Sequence, residues 1–315
     1  MPNPGTIDMH PNRVTPSSPA ASSEGAARRS YVDAVPAPLL VLGSIVSIQV
    51  GSAIASGLIR EVGPVVIVGI RLAVAALVML VLARPLVRGK SRTDWLVVLA
   101  LGASLAATNL CFYGALGRLP LGVVVTVEFL GPLGLAAALS RTPAHLAAVL
   151  LALAGVVAVS GALQGGIASV DTVGLLLAAG AGVGWAVSIL ATRAVGARWR
   201  QLDGLAIALA IGAVVVAPAA VASWDRAAVT MGVVVGGAVV AVLSTALPYS
   251  LELQALRRLD TRVFGVLLSL EPAVAALAGF LLLGQRLSPV EIAGIGLVVL
   301  ASSLVLREGE VEPAS

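Results

Sequence analysis

Ten runs of roughly 17–25 residues, apolar almost throughout, follow one another between residues 37 and 306, and that is the length at which an α-helix crosses a bilayer. They lie near 37–59, 64–83, 95–116, 121–139, 145–163, 173–193, 204–222, 231–256, 262–283 and 289–306. No water-soluble core can take up that much apolar surface. Of the 315 residues 58% are hydrophobic and 11% charged, against about a quarter charged in a soluble domain, and the mean hydropathy is +1.02. In lipid each segment must satisfy its own backbone polar groups, so every run is predicted to be a helix and the chain an all-α integral membrane protein with the lipid bilayer as its solvent. Pro64, Pro143, Gly204 and Pro289 punctuate the short links, and Trp95 and Trp224 stand at span edges, where an interfacial indole is favoured.

Basic residues orient the spans. With the N-terminus inside, the inner links hold Arg84, Arg88, Lys90, Arg92, Arg141, Arg193, Arg198, Arg200, Arg257, Arg258, Arg262 and Arg307, while the outer links hold Arg60, Arg118, Arg226 and Arg286. Twelve against four predicts that both termini are cytoplasmic. The net charge of +4 and pI near 10 are therefore read as topology, and no nucleic acid is expected as a partner. Residues 1–35, rich in Pro, Ser and Ala and without an apolar h-region, read as a disordered cytoplasmic tail, and 307–315 as a cytoplasmic C-terminal tail. Lysine occurs once, at Lys90, among abundant Ala, Val, Gly and Arg, the composition expected of a G+C-rich bacterial genome.

Several chemistries are set aside by what the chain lacks. Cys111 is the one cysteine, and His10 and His145 are the only histidines, so no disulfide framework, Cys-based metal site or His-dependent hydrolysis is expected. There is no GxxxxGK[ST] phosphate loop. The chain is expected to be neither an enzyme nor the holder of a cofactor or metal. The small-residue stretches "GAGVGWA" (180–186) and "GVVVGGA" (232–238) read as helix-packing seams.

The chain also repeats itself. "YGALGRL" at 113–119 matches "LQALRRL" at 253–259, and Pro132 in "EFLGP" matches Pro272 in "LSLEP", each at an offset of 140. Residues 36–163 and 173–306 are thus read as two five-span repeats. Five is odd, so the halves insert with opposite orientation, as in transporters that alternate access around a site near the midplane.

Charged residues well inside the spans, away from their edges, are Arg71, Glu128, Glu252 and Glu271. Each costs roughly 2.5–3.5 kcal/mol on insertion scales if it faces lipid, so each is expected to face the bundle interior or a water-filled cavity. Gln49, Asn109, Tyr113, Thr126, Ser244, Thr245, Tyr249 and Ser269 are the uncharged polar groups around them, and Trp185 is the tryptophan well inside a span. Glu128 and Glu271 stand four residues and one residue before the matched prolines Pro132 and Pro272. A proline in a transmembrane helix frees a carbonyl one turn earlier. A carboxylate beside it can carry a proton or meet an ammonium group. Arg71 is the cation at depth, with a planar fork suited to a carboxylate. Paired with Glu128 or Glu271 it presents both charges to a zwitterion; alternatively it pairs with one glutamate to hold the bundle together. In "ALPYSLE" (246–252) Tyr249 and Glu252 share a face, and Pro248 is placed to kink the helix as a gate or cavity wall. Aromatics make up only 3% of the chain, which favours a small polar substrate over the aromatic-lined site of an organic cation.

The segments "SIQVG" (47–51), "RLA" (71–73), "PLG" (120–122), "EFLGPL" (128–133), "LSTALPYSLE" (243–252), "TRVFG" (261–265) and "LSLEPAVAA" (268–276) make the chain similar to the drug/metabolite transporter superfamily. Within it the chain resembles the EamA-repeat family and its bacterial threonine/homoserine exporter branch, from about residue 40 to 306. The resemblance implies a ten-helix inverted-repeat fold in the bacterial inner membrane. It also implies efflux of a small zwitterionic amino acid against protons, with export of another small metabolite or toxic analogue as the alternative and a non-transporting membrane sensor or enzyme as the remote one. Gln49 stands where many superfamily members have a tryptophan, which sets the drug-exporting branches aside. The expected substrate site is Arg71, Glu128, Glu271, Gln49, Asn109, Tyr113, Trp185, Ser244 and Tyr249. Glu128 and Glu271 are expected to couple protons, with Pro132, Pro248, Glu252 and Pro272 as gate or kink positions. A monomer or homodimer is expected.

Overall fold

A computed structural model of the chain describes residues 35–140, 143–160, 163, 170–200, 202–225, 228–256, 258–259 and 261–308. Most of the two expected tails, together with Arg141, Arg226 and Arg257, lies outside the described residues. The chain divides after Pro36, and the helices belong to the unit that begins at Ala37. Among the described residues they are α1 (Ala37–Val62), α2 (Pro64–Ala83), α3 (Arg92–Leu116), α4 (Leu121–Glu128), α5 (Leu130–Ser140), α6 (Pro143–Val159), α7 (Thr172–Gly196), α8 (Asp203–Ala222), α9 (Met231–Ala241), a π-helical turn (Val242–Ala246), α10 (Leu247–Leu256), α11 (Thr261–Leu268), α12 (Glu271–Leu283) and α13 (Pro289–Glu308). No strand occurs among them.

By length and composition α1, α2, α3, α7 and α8 can each cross a bilayer, so the chain is a multi-pass membrane protein. Five shorter apolar segments, 121–135, 147–159, 231–246, 271–283 and 289–304, lie where the other five spans are predicted. The sequence reads three of these regions as single helices, 121–139, 231–256 and 262–283, whereas the structure interrupts each one. The causes are local. A proline ring clashes with the carbonyl four residues back and offers it no N–H. Pro132 acts in this way on Glu128, the last residue of α4, and Pro272 on Leu268, the last residue of α11. The two eight-residue helices that precede these breaks, Leu121–Glu128 and Thr261–Leu268, sit 140 residues apart, the offset of the repeated motifs.

Helix ends follow from capping chemistry. Ser91 and Asp94 form a reciprocal capping box at the start of α3. Asp171 caps α7 by accepting from the Gly174 N–H at 2.8 Å. Gly284, at φ 65, ends α12 in the left-handed conformation that suits glycine.

α3 lies along α7, α6 along α13, α2 along α8, α4 along α12, and α1 along the π turn and α10. Ion pairs pin the α3–α7 pair at both ends, Asp94 with Arg198 at 3.2 Å and Arg118 with Asp171 at 3.0 Å. Along α6 and α13 the backbones touch: a Cβ added at Gly155 would lie 2.6 Å from the Gly294 carbonyl oxygen. That is the small-residue packing by which helices associate in lipid, where burial from water supplies no drive. The core holds Ile67, Val68, Leu72, Tyr113 and Leu121, while Leu77, Leu176, Val214 and Leu281 are exposed. Large apolar side chains pointing outward suit a lipid-facing surface.

Candidate functional site

The π turn between α9 and α10 releases backbone acceptors in the interior. The Leu247 N–H reaches back to the Val242 carbonyl rather than to Leu243, and Pro248 has no N–H to offer Ser244. Two successive carbonyls therefore lose their helical donors. Side chains from other helices take both. Ser47 Oγ of α1 donates to the Leu243 carbonyl at 2.7 Å. Arg71 Nη2 of α2 donates to the Ser244 carbonyl at 3.3 Å and contacts Thr245 Oγ1 at 3.5 Å. Gly51 makes this approach possible, because a Cβ there would collide with Ser244 Oγ.

The Arg71 guanidinium also lies 5.5 Å from the centroid of the Tyr113 ring, within cation–π range. Neither glutamate forms an ion pair with it. Of the two roles open to Arg71 in the sequence, the permanent structural pair with Glu128 or Glu271 is not what this structure contains. Its Nε is buried and has no partner.

Glu128 closes α4 and Glu271 opens α12, each at a proline-broken junction. The α4–α5 junction is seated against α7 by direct backbone contact. A Cβ at Gly182 would lie 2.6 Å from the Glu128 carbonyl oxygen, and one at Gly131 would collide with the Gly182 carbonyl. Phe129 meets Trp185 edge-on at 5.5 Å on the same seam. The backbone that carries Glu128 is thus seated directly against α7.

These elements line an open-sided cavity of about 250 Å³. Its walls bring together Arg71, Glu128, Glu271, Gln49, Asn109, Tyr113, Trp185 and Ser244. Eight of the nine residues expected at the substrate site thus share one space; the ninth, Tyr249, lies on α10 with its side chain outside the described ones. The lining also includes Ser52, Thr108 and Ser188, which the sequence reading passed over. A signal was available in the spacing: Ser52 follows Gln49 and Ser188 follows Trp185 by three residues, on the same helical face.

Other expected positions do not reach the cavity. Glu252 accepts a short hydrogen bond from Ser44 Oγ, joining α10 to α1. Pro132, Pro248 and Pro272 act through the backbone breaks. Thr126 is fully buried and donates to the Gly122 carbonyl at 2.6 Å, and Ser269 meets Ser303 Oγ at 3.2 Å. Among the described residues no group of three or more His, Cys, Asp and Glu side chains could hold a metal ion.

Chemically, the cavity offers one guanidinium and two carboxyls across a small space. Three buried side-chain atoms in its lining have no hydrogen-bond partner, Gln49 Oε1, Arg71 Nε and Ser244 Oγ. Buried polar atoms are rarely left unpaired unless a ligand or water completes them. The volume lies below the roughly 300–1,000 Å³ of pockets for drug-sized molecules, so the arrangement suits a small molecule bearing both charges.

Comparison with known proteins adds an independent line. The EamA-like transporter family profile matches residues 172–307. The threonine/homoserine exporter RhtA of Escherichia coli strain K12 is 37% identical over 264 residues, covering 84% of this chain and 89% of the relative. RhtA of Salmonella typhimurium strain LT2 is likewise 37% identical over the same shares. One crystal structure of a protein, 21% identical, superposes with a TM-score of 0.60 over 87% of this chain and 98% of its own, and shows that the fold is shared.

Proposed function

The chain belongs to the EamA-like transporter family, in its threonine/homoserine exporter branch, and from that membership we propose that it exports threonine, homoserine or a similar small amino acid through the cavity at Arg71. The observation that carries the reading is the cavity itself. A guanidinium and two carboxyls line one space of about 250 Å³. An α-amino acid carries the complementary pair of charges. Its carboxylate meets Arg71, whose remaining donors are oriented by the bond to the Ser244 carbonyl. Its ammonium meets Glu128 or Glu271. Neutralising each charge in the low-dielectric interior makes the loaded state tolerable.

We further propose that export runs by proton antiport with alternating access. Two carboxyls and one guanidinium line the empty site, so a proton on one glutamate balances the charge when substrate leaves. Ten spans in two inverted five-helix repeats, with both termini in the cytoplasm of a bacterial inner membrane, complete the reading. The packing pattern supports the repeats: exchanging the two sets of five spans turns the α3–α7 contact into that of α1 with the π turn and α10. The same exchange returns α2–α8, α4–α12 and α6–α13 to themselves.

The test is efflux of labelled threonine and homoserine from preloaded proteoliposomes, with and without an imposed pH gradient. Gradient-accelerated efflux is the expected result. Efflux indifferent to the gradient would remove the proton coupling. No flux of either amino acid, from protein shown to be folded and inserted, would remove the substrate assignment.

A further inference from the structure

Arg71, Glu128 and Glu271 answer the α-carboxylate and α-ammonium groups, which every amino acid carries. They cannot by themselves select one side chain over another. The two substrates named for the relatives share a side-chain hydroxyl, on the β carbon of threonine and the γ carbon of homoserine. A valine or norvaline side chain has nearly the same size without it. If the chain exports hydroxy amino acids, as proposed above, some group in the cavity has to read that hydroxyl.

Three of the uncharged polar side chains in the lining are already engaged. Thr108 Oγ1 donates to the Ser104 carbonyl at 2.8 Å, Asn109 Nδ2 to the Leu105 carbonyl at 2.7 Å, and Ser188 Oγ to the Trp185 carbonyl at 2.8 Å, each within its own helix. Gln49 differs. It is 2% exposed, it lines the cavity, and its buried Oε1 has no partner. Its helix is fixed against the π turn through the Ser47 bond and the Gly51 contact. The same turn anchors Arg71, and the opposite face of α1 presents Gln49 to the cavity that Arg71 also lines. A hydroxyl both donates and accepts, so either end of the amide can serve it.

We propose that the Gln49 amide hydrogen-bonds the side-chain hydroxyl of the exported amino acid and so sets a preference for hydroxy amino acids over their aliphatic isosteres. A site that leaves a buried amide unpaired with the wrong substrate discriminates by about ten- to a hundredfold or more. Cargo without the hydroxyl leaves the Gln49 amide without a partner, whereas threonine or homoserine completes it.

The test uses the full chain in proteoliposomes and four labelled amino acids: threonine, valine, homoserine and norvaline. The wild type is expected to move threonine at least about tenfold better than valine in kcat/KM. Gln49→Leu is expected to bring that ratio close to one while valine flux persists. Gln49→Asn, with its amide drawn back by one carbon, is expected to shift preference from threonine towards homoserine, whose hydroxyl reaches further. A wild-type ratio near one would overturn the proposal whatever the variants do. So would an unchanged ratio in Gln49→Leu, or an equal fall for all four substrates, which marks a packing role. If the wild type moves none of the four, the export reading fails and this inference with it. That outcome is distinct, because a failure of the hydroxyl assignment alone leaves measurable flux.

Discussion

Replacing Pro248 with alanine restores one N–H to the helix at the point where the structure uses its absence. In an α-helical register the new donor reaches the Ser244 carbonyl, which now accepts from Arg71 at 3.3 Å. In a continued π register it reaches the Leu243 carbonyl, which now accepts from Ser47 at 2.7 Å. Either way it competes with a side chain from another helix. A hydrogen bond to a charged group is worth about 1.5–3 kcal/mol net. Losing the Arg71 anchor entirely would therefore cost roughly 10- to 150-fold in kcat/KM. A carbonyl has two lone pairs and can be shared, so the expected loss is at the lower end, about tenfold. Removing an interior proline also relieves the helix, and the thermal midpoint is expected to hold or rise. Activity and stability should thus move in opposite directions. The assay pairs threonine efflux from proteoliposomes with a melting curve in detergent. Arg71→Gln and the double variant complete a cycle, in which Pro248→Ala should add little once the guanidinium is gone. If Pro248→Ala keeps efflux within twofold of wild type, or if the two changes are fully additive, Pro248 does not act by presenting a carbonyl to Arg71.

Other consequences are smaller in scope. Glu128→Gln and Glu271→Gln, tested separately, should show which carboxyl carries the proton: the coupling variant is expected to retain threonine exchange across a bilayer while losing acceleration by a pH gradient. Gly155→Ala places a methyl against the Gly294 carbonyl and Val298 and is expected to destabilise the α6–α13 seam by about 1–3 kcal/mol, read as a lower melting temperature with KM unchanged. The backbone N–H of Gly174, and then Arg118, hold the Asp171 carboxyl below its ordinary value of 3.8. Its folded-state value is depressed, so its stabilisation is present above 3.8 and is lost as pH falls through the lower folded value. Asp171→Ala is accordingly expected to lower the melting temperature by about 2–4 °C at neutral pH, and the difference from wild type should narrow as the pH drops below 3.8.

Much of this molecule is legible in one dimension because lipid leaves few options. Apolar runs long enough to cross a bilayer must be helices, and a charge within them must turn inward, so the helical character of the chain and the inward placement of Arg71, Glu128 and Glu271 follow from the chain alone. Sequence also marks the breaks, since Pro132, Pro248 and Pro272 each remove a donor at a known position. Residue spacing cannot tell what a freed carbonyl will meet. The Ser244 carbonyl finds Arg71, 173 residues away, and the Leu243 carbonyl finds Ser47, 196 residues away. Only tertiary packing decided that Arg71 anchors to backbone instead of to a glutamate, that Glu252 turns to Ser44, and that Gln49 is left unpaired beside the cavity. The physical reason is range: helix formation and membrane insertion are governed by neighbours along the chain, whereas hydrogen-bond partners in the interior are chosen by which helices lie side by side.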